Sequence, residues 1–450
     1  MASEPGAECP ALDGDINTDV VIVGGGFTGL WTAYQISHSH PQLGVVLLEQ
    51  DICGGGPSGR NGGFASGWWD ELDSLQALYG PDAALRACRA ISASIAAIGD
   101  FCRDHGIDAW FRKQGYLFAA TSERQEEACA ALVEVAAEVG AADELRALTP
   151  DEVRRRCASP AFRGGALMPD AASIQPALLA RGLRRVLLEQ GVAIHEGTQV
   201  TRLEPGPPAV AFTAGGSVRA PKVVLAVNAW ATGWPALRRR LLAWSSYIVL
   251  SAPAPERLAA LGWTGGELVS DLRTSIRYFR TTPDGRIAFG GGGGRAARKI
   301  GDSFTRDGRA VAEAAAGFRR LFPSFADVPL EDAWGGPIDV SPTHLPSFGR
   351  LEPHVFYALG YTGNGVAPSH LAGRVLADLV LGDDTDATRL PMVDPKPRLF
   401  PPDPIRTLGA ALVRRAVIAG DAAAELGRRS NPVVEAIARL PRRLGYRLGP

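Results

Sequence analysis

Residues 19–49 read DVVIVGGGFTGLWTAYQISHSHPQLGVVLLE, and this stretch decides the fold. An apolar, β-branched run ends at Val23, and Gly24, Gly26 and Gly29 follow in G-x-G-x-x-G spacing. Leu30, Ala33, Tyr34 and Ile36 then recur at helical intervals, and a second apolar run over 45–48 ends on Glu49. The pattern predicts strand, tight turn, helix, strand and acid.

Each part suits a dinucleotide. The first glycine permits the turn, the second lets backbone approach a pyrophosphate, and the third lets helix pack on strand. The helix N-terminus then offers unpaired N–H groups and the positive end of its dipole to phosphate oxygens. Glu49 lies 25 residues after Gly24, near the usual spacing for a carboxylate that takes ribose hydroxyls. At this point NAD and FAD fit equally well.

Working outward, 450 residues suffice for two domains or one large composite with a buried core. With 46% hydrophobic and 21% charged residues and a net charge of −1, nothing global points to nucleic acid. The six cysteines (Cys9, Cys53, Cys88, Cys102, Cys129, Cys157) show no metal-ligand spacing, so free thiols and no metal site are expected. The first residues carry no basic or apolar leader pattern, and no run of 18 apolar residues is present, so a cytoplasmic location is expected.

After Glu49 comes DICGGGPSGRNGGFASGWW, residues 51–69, too rich in glycine for a stable helix or strand. It is read as a loop passing under the same cofactor, with Arg60 and Asn61 as donors. Helical periodicity covers 83–102, 123–139 and 176–190, and residues 116–120 form a strand. Residues 192–203 are a strand-pair candidate, and 222–227 a buried strand before NAWATG (228–233), where an abrupt turn suggests close approach to a ligand. Residues 247–251, 276–282 and 286–290 read as strands of a mixed sheet, with Pro283-Asp284-Gly285 as a hairpin turn. The strand 356–359 leads into GYTGNGVAPSHLAGRVLADLVLG (360–382), a second strand, glycine turn and helix. Beyond residue 383 a proline-rich linker precedes an arginine-rich helical tail. That tail is read as a solvated basic face covering the fold, with peripheral membrane contact as the alternative.

VVIVGGGFTGL, GPSGRNGG, WGGPIDVSPTHLPSFG (334–349) and GYTGNGVAPSHLAG, in this order, resemble the D-amino-acid-oxidase-like superfamily of flavoproteins. Within it the motifs are most similar to the gamma-glutamylputrescine oxidase branch, alongside glycine and sarcosine oxidases. The resemblance implies an α/β fold: an FAD-binding Rossmann-like domain of the glutathione-reductase type with a mixed-sheet substrate domain inserted. The FAD-binding part would comprise 15–70, 165–235 and 345–382, the substrate part 71–164 and 236–344, and the tail 383–450. It further implies FAD contacts from Gly24, Gly26, Phe27, Thr28, Gly29, Glu49 and Gln50. Ser58, Arg60, Asn61, Gly62 and Gly63 would lie along the phosphate and isoalloxazine, and Val200 against the adenine. Thr362, Gly363, Asn364, Gly365 and Val366 would face the flavin pyrimidine edge, where a helix N-terminus stabilises the negative charge of reduced flavin.

The implied activity is oxidation of an amine or amino-acid C–N bond to an imine by hydride transfer to flavin N5, followed by hydrolysis. A flavin monooxygenase or a non-catalytic flavin-binding protein are the alternatives. Arg60 stands where relatives that bind flavin covalently carry histidine, and no cysteine follows Cys157, so non-covalent FAD is expected. Ile338 stands near the arginine that clamps a substrate carboxylate in amino-acid-oxidising relatives, which favours a small-molecule amine. Asp339 is a candidate for attracting a cationic amine. Tyr278, Trp334 and His344 are candidate pocket residues, each with ordinary packing as its alternative. The strand 286–290 carries no lysine to assist oxygen, leaving O2 and other electron acceptors open.

Overall fold

The computed structural model describes residues 6–291 and 294–447. The opening stretch forms the strand Val20–Val23, the helix Phe27–Ser39 and the strand Val45–Leu48. These strands sit inside a six-stranded sheet ordered Ser347–Glu352, Val355–Leu359, Lys222–Leu225, Val20–Val23, Val45–Leu48, Ala193–His195. The last five run parallel and the first is an antiparallel edge.

Side-chain alternation explains why the strands are apolar throughout. Val20, Ile22, Val45, Leu47, Val224 and Phe356 share one core with Leu30, Leu183 and Leu371 of the covering helices. Val21, Val23, Val46, Leu48, Val223 and Tyr357 share another with Ala209, Ala211 and Val218 of a small four-stranded sheet. A parallel sheet covered on both faces needs two apolar sides. The helices Phe27–Ser39 and Val366–Leu381 touch where a Cβ on Gly373 would stand 2.5 Å from that of Trp31.

Val20–Val23 has its chain-order successor on one side and Lys222–Leu225 on the other. That is a topological switch point, where open α/β sheets place a ligand crevice beyond the carboxyl ends of the strands.

The second layer is an eight-stranded mixed sheet containing Leu330–Val340, Leu242–Ser251, Ile287–Gly291, Arg277–Thr281, Leu268–Ser270, Tyr116–Ala119, Gly165–Met168 and Arg146–Leu148. Gly165–Met168 pairs with Tyr116–Ala119, so a boundary at 164/165 cuts this sheet. Residues 192–203 hold two strands, but they are not a pair. Ala193–His195 extends the parallel sheet, whereas Arg202–Glu204 joins the four-stranded one.

The tail forms two helices, Ile405–Glu425 and Pro432–Arg443, packed on each other. It is more than a solvated basic face. Arg406 is buried and donates to the Leu241 carbonyl at 3.0 Å, and Arg414 donates to that of Gly294. Ile405, Leu408 and Leu412 stay exposed, as do Arg415, Arg428, Arg429 and Arg439. Among the described residues no helix is long and apolar enough to cross a membrane.

Candidate active site

A cavity of about 820 Å³ opens at the switch point. Gly24 has φ +109°, and a Cβ there would lie 2.4 Å from the Ala226 carbonyl oxygen. A Cβ on Gly29 would lie 1.9 Å from the Gly24 carbonyl oxygen, so the turn and the helix close only on glycine. Gly26 caps the helix with no side-chain bond; Ser58 Oγ accepts from the Phe27 N–H at 2.8 Å, and the first turn carries no acid. The next N–H groups therefore point at the cavity with the dipole unneutralised.

Glu49, Gln50 and Val200 all line this cavity. Glu49 accepts from the Gly25 N–H at 2.6 Å and the Asp51 N–H at 2.9 Å, while burial pushes its carboxyl above the ordinary value. Trp230 and Trp234, in and after the abrupt turn at Asn228–Gly233, add an aromatic wall.

The second helix N-terminus, at Val366, is also uncapped by any side chain. Thr362, a β-branched residue, is held at φ +53° by bonds from the Ser341 N–H to its hydroxyl and from that hydroxyl to the Gly360 carbonyl. Non-glycine residues rarely adopt this conformation, and such strain gathers at ligand sites. A 2.6 Å bond between Tyr361 and Thr28 hydroxyls ties the two glycine turns together. Asn364 donates to the Gly67 carbonyl at 3.3 Å, joining the second turn to the 51–69 segment.

That segment contains one helical turn, Pro57–Arg60, and a short strand, Phe64–Ser66. Asn61 fixes the bend between them, donating to the Pro57 and Ser58 carbonyls and accepting from the Gly63 N–H at 2.8 Å. Gly63 has φ +76° and its Cβ position is filled by the Ile174 carbonyl oxygen. Arg280 is buried and donates to the Gly62 and Thr281 carbonyls, with no acid paired to it among the described residues; burial lowers it to about 10. The alternation expected over 277–280 thus puts Tyr278 and Arg280 on the glycine loop, and Arg277 and Phe279 on the far side.

A second cavity, about 580 Å³, meets the first: Arg60, Asn61, Ile338, Tyr361 and Gly363 line both. Tyr278 lies on its wall with its hydroxyl 3.0 Å from Ser246 Oγ, and its ring fills the space beside Gly62. His344 lines it as well, its Nδ1 2.9 Å from Glu71 Oε1. Ile338 lies on the wall that the two cavities share. The outer wall comes from the tail, through Phe400, Val413, Val417, Leu440 and Leu444.

Two candidates are placed elsewhere. Asp339 does not face this cavity: its oxygens accept from the Gly360 and Tyr361 N–H groups, bracing the second glycine turn beside the first cavity. It is 1% exposed, and burial raises its carboxyl to about 7. That removes it as an attractor of amines. Trp334 lines neither cavity; its indole N–H donates to the Arg60 carbonyl at 2.7 Å and steadies the loop from behind. Trp68 reaches the second cavity, while Trp69 is packed and bonded to Ser92. Lys299 is exposed and lines neither cavity. The sequence reading missed Asp70, Glu71 and Tyr116, and it missed that the helical tail would wall this cavity. The run GWWDE beside the glycine loop carried the only local signal for the first two.

Two open helix N-termini, three glycine turns and a long cavity at the switch point define a dinucleotide-dependent oxidoreductase. The profile of the family described as FAD dependent oxidoreductase matches residues 19–379, and the chain belongs to that family. Gamma-glutamylputrescine oxidoreductase of Escherichia coli strain K12 is 31% identical over 379 residues, covering 83% of this chain and 85% of that protein. Among solved structures, glycine oxidase from Geobacillus kaustophilus aligns with a TM-score of 0.70 at 22% identity, over 82% of this chain and 96% of its own. L-proline dehydrogenase from P. horikoshii aligns with a TM-score of 0.68 at 19% identity, over 85% and 96%. The family implies FAD, and the first cavity fits it: a turn that closes only on glycine brings Gly24 and Gly26 backbone to its wall, beside the uncapped helix N-terminus and Glu49.

Proposed function

We propose that this enzyme holds FAD non-covalently in the first cavity and oxidises the C–N bond of a primary or secondary amine in the second. The carrying observation is the shared wall: Arg60, Asn61, Ile338, Tyr361 and Gly363 border both spaces. A cofactor whose ADP half rests on Gly24–Gly29 and Glu49 would bring its ring to that junction. Bound FAD supplies the two-electron acceptor, taking a hydride from the carbon beside the amine nitrogen. The resulting imine adds water and splits to a carbonyl compound and an amine.

The chain's own residues bind, orient and exclude water. Gly24, Gly26, Phe27, Thr28 and Gly29 offer backbone to the pyrophosphate, and Glu49 to ribose hydroxyls. The N-terminus of Val366–Leu381, with Thr362, Gly363, Asn364 and Gly365, faces the electron-rich edge of the ring. Ser58, Arg60, Asn61, Gly62 and Gly63 support its other side, with Arg280 and Trp334 holding that loop. None of the six cysteines lines either cavity, which supports non-covalent attachment. Tyr278 and Ile338 give the amine an apolar wall in place of a carboxylate clamp, and the similarity to gamma-glutamylputrescine oxidoreductase of Escherichia coli supports an amine over a small α-amino acid. The six-stranded sheet would serve as the cofactor-binding body and the eight-stranded sheet as the substrate body.

The test is anaerobic mixing of the purified yellow protein with a panel of amines, amino acids and NADPH, followed by air. Bleaching by amines supports the reading, and the rate of recolouring reports whether oxygen accepts the electrons. Bleaching by NADPH alone, or by nothing short of dithionite, overturns it.

A further inference from the structure

The second cavity is largely apolar, yet two adjacent carboxylates, Asp70 and Glu71, line it together with His344. They come from the 3-10 turn Trp69–Glu71, which begins on the second of two adjacent buried tryptophans, Trp68 and Trp69. Glu71 is 9% exposed and its Oε1 accepts from His344 Nδ1 at 2.9 Å. His344 is held there with φ +65°, a backbone conformation that a non-glycine residue rarely adopts. Asp70 Oδ1 has no water-accessible surface and no hydrogen-bond partner. Among the described residues neither carboxylate is paired with an arginine or lysine. The nearby Arg447, also on the cavity wall, bonds instead to Ser74 and lies 3.8 Å from Asp73.

Such a pair is expensive to leave alone. A buried carboxylate wants a counter-charge or several N–H donors, and two adjacent ones repel. Burial and the charge of Glu71 push the Asp70 carboxyl up to about 8. An ammonium or guanidinium group entering the cavity would supply the missing counter-charge and relieve the repulsion between the two carboxyl groups. The neighbouring His344–Glu71 bond leaves Glu71 the other oxygen for the same cation.

The cluster is close to the chemistry without being in it. Gly67 is bonded to Asn364 of the second glycine turn, and three residues of chain extend at most about 10 Å from Gly67 to Asp70. The reacting amine must be neutral at the flavin, so a charge-stabilising pair belongs to a different nitrogen. We propose that Asp70 and Glu71, with His344 orienting Glu71, form a subsite for a second, cationic nitrogen of the substrate. The substrate class is then a diamine or an amine bearing a distal ammonium or guanidinium group. This rests on the amine-oxidising reading given above.

The experiment compares 1,5-diaminopentane with n-pentylamine, which match in carbon chain and differ in the distal charge. Binding is measured by calorimetry on holoenzyme already reduced with dithionite, which cannot turn the amine over, and anaerobic flavin reduction is measured separately. Wild type should bind the diamine at least tenfold tighter. Asp70→Asn should weaken the diamine by roughly 30-fold, the loss of one desolvated charge pair, while leaving n-pentylamine within twofold and the flavin content unchanged. Glu71→Gln serves the same purpose if Asp70→Asn does not fold. Equal affinity of wild type for the two ligands, or an equal effect of the substitution on both, overturns the subsite. Diamine binding that depends on Asp70 without any amine bleaching the flavin would support the subsite and sink the amine-oxidising reading alone.

Discussion

Glu425 ends the first tail helix, where a negative charge opposes the helix dipole, so its presence there calls for another reason. Its side chain is 9% exposed and meets Arg277 Nη2 at 2.7 Å, Arg273 Nη1 at 3.0 Å and Arg320 Nη1 at 2.5 Å. Arg273 and Arg277 are themselves buried beside Asp271 and Asp421, at 3.5 Å in each case. Glu425→Ala removes the carboxylate closest to both buried guanidinium groups. Breaking such a pair typically costs 3–5 kcal/mol. Asp271 and Asp421 remain, and Arg320 is 61% exposed and adds little. We therefore take about 3 kcal/mol, which multiplies the open population of the tail by about 100. Native-state hydrogen exchange should show amide protection over Ile405–Glu425 falling about 100-fold, with Val20–Val23 and Val355–Leu359 unchanged. Because the tail forms the outer wall of the second cavity, KM for the best amine should rise while flavin content holds. A uniform fall in protection across both layers, or no fall in the tail, would refute the idea that this ion cluster docks the tail.

Gly29→Ala should abolish FAD retention on purification, because its Cβ meets the Gly24 carbonyl oxygen at 1.9 Å; the visible absorbance of the purified protein checks this. Trp334→Phe removes the bond to the Arg60 carbonyl, so FAD should dissociate about tenfold more readily in fluorescence titrations, at a cost of about 1 kcal/mol in stability. The pH response follows from Asp339, whose carboxyl is raised from 3.8 to about 7. Between those values the folded protein binds more protons than the unfolded chain, so this group's contribution to stability is full below about pH 4 and is lost as pH rises through 7. Denaturant midpoints measured across that window should fall with pH in wild type and flatten in Asp339→Asn, which cannot ionise; an equal slope in both would refute the assignment.

The glycine turns that border the first cavity were legible because their determinants are local. Gly24, Gly26 and Gly29 must be small for reasons set within one turn and one helix, and the run over 45–48 ending on Glu49 follows at fixed spacing. The second turn, from Gly360 to Val366, repeats that logic. Strand alternation also carried: residues 277–280 sort into two faces as a period of two requires. What failed was pairing over distance. Residues 192–203 contain two strands whose partners, Val45–Leu48 and Ala209–Phe212, are set by sheet order and not by the segment itself.

Asp339 shows the harder limit. An acid next to an apolar residue near an expected clamp reads as a ligand for a cation, yet its register on Leu330–Val340 points it at the N–H groups of Gly360 and Tyr361. Nothing in 334–349 reports that those donors, more than 20 residues later, lack other partners. Asp70 and Glu71 were passed over for the converse reason, since their isolation in an apolar cavity depends on walls from Tyr116, Tyr278 and Leu444. A carboxylate's role is decided by which N–H groups and cations can reach it. In this enzyme the acid that looked unpaired is braced by backbone, and Asp70, with one oxygen unpaired among the described residues, lies on the second cavity. Discrimination among amines should therefore respond to Asp70 and the tail, and cofactor binding to Asp339 and the glycine turns.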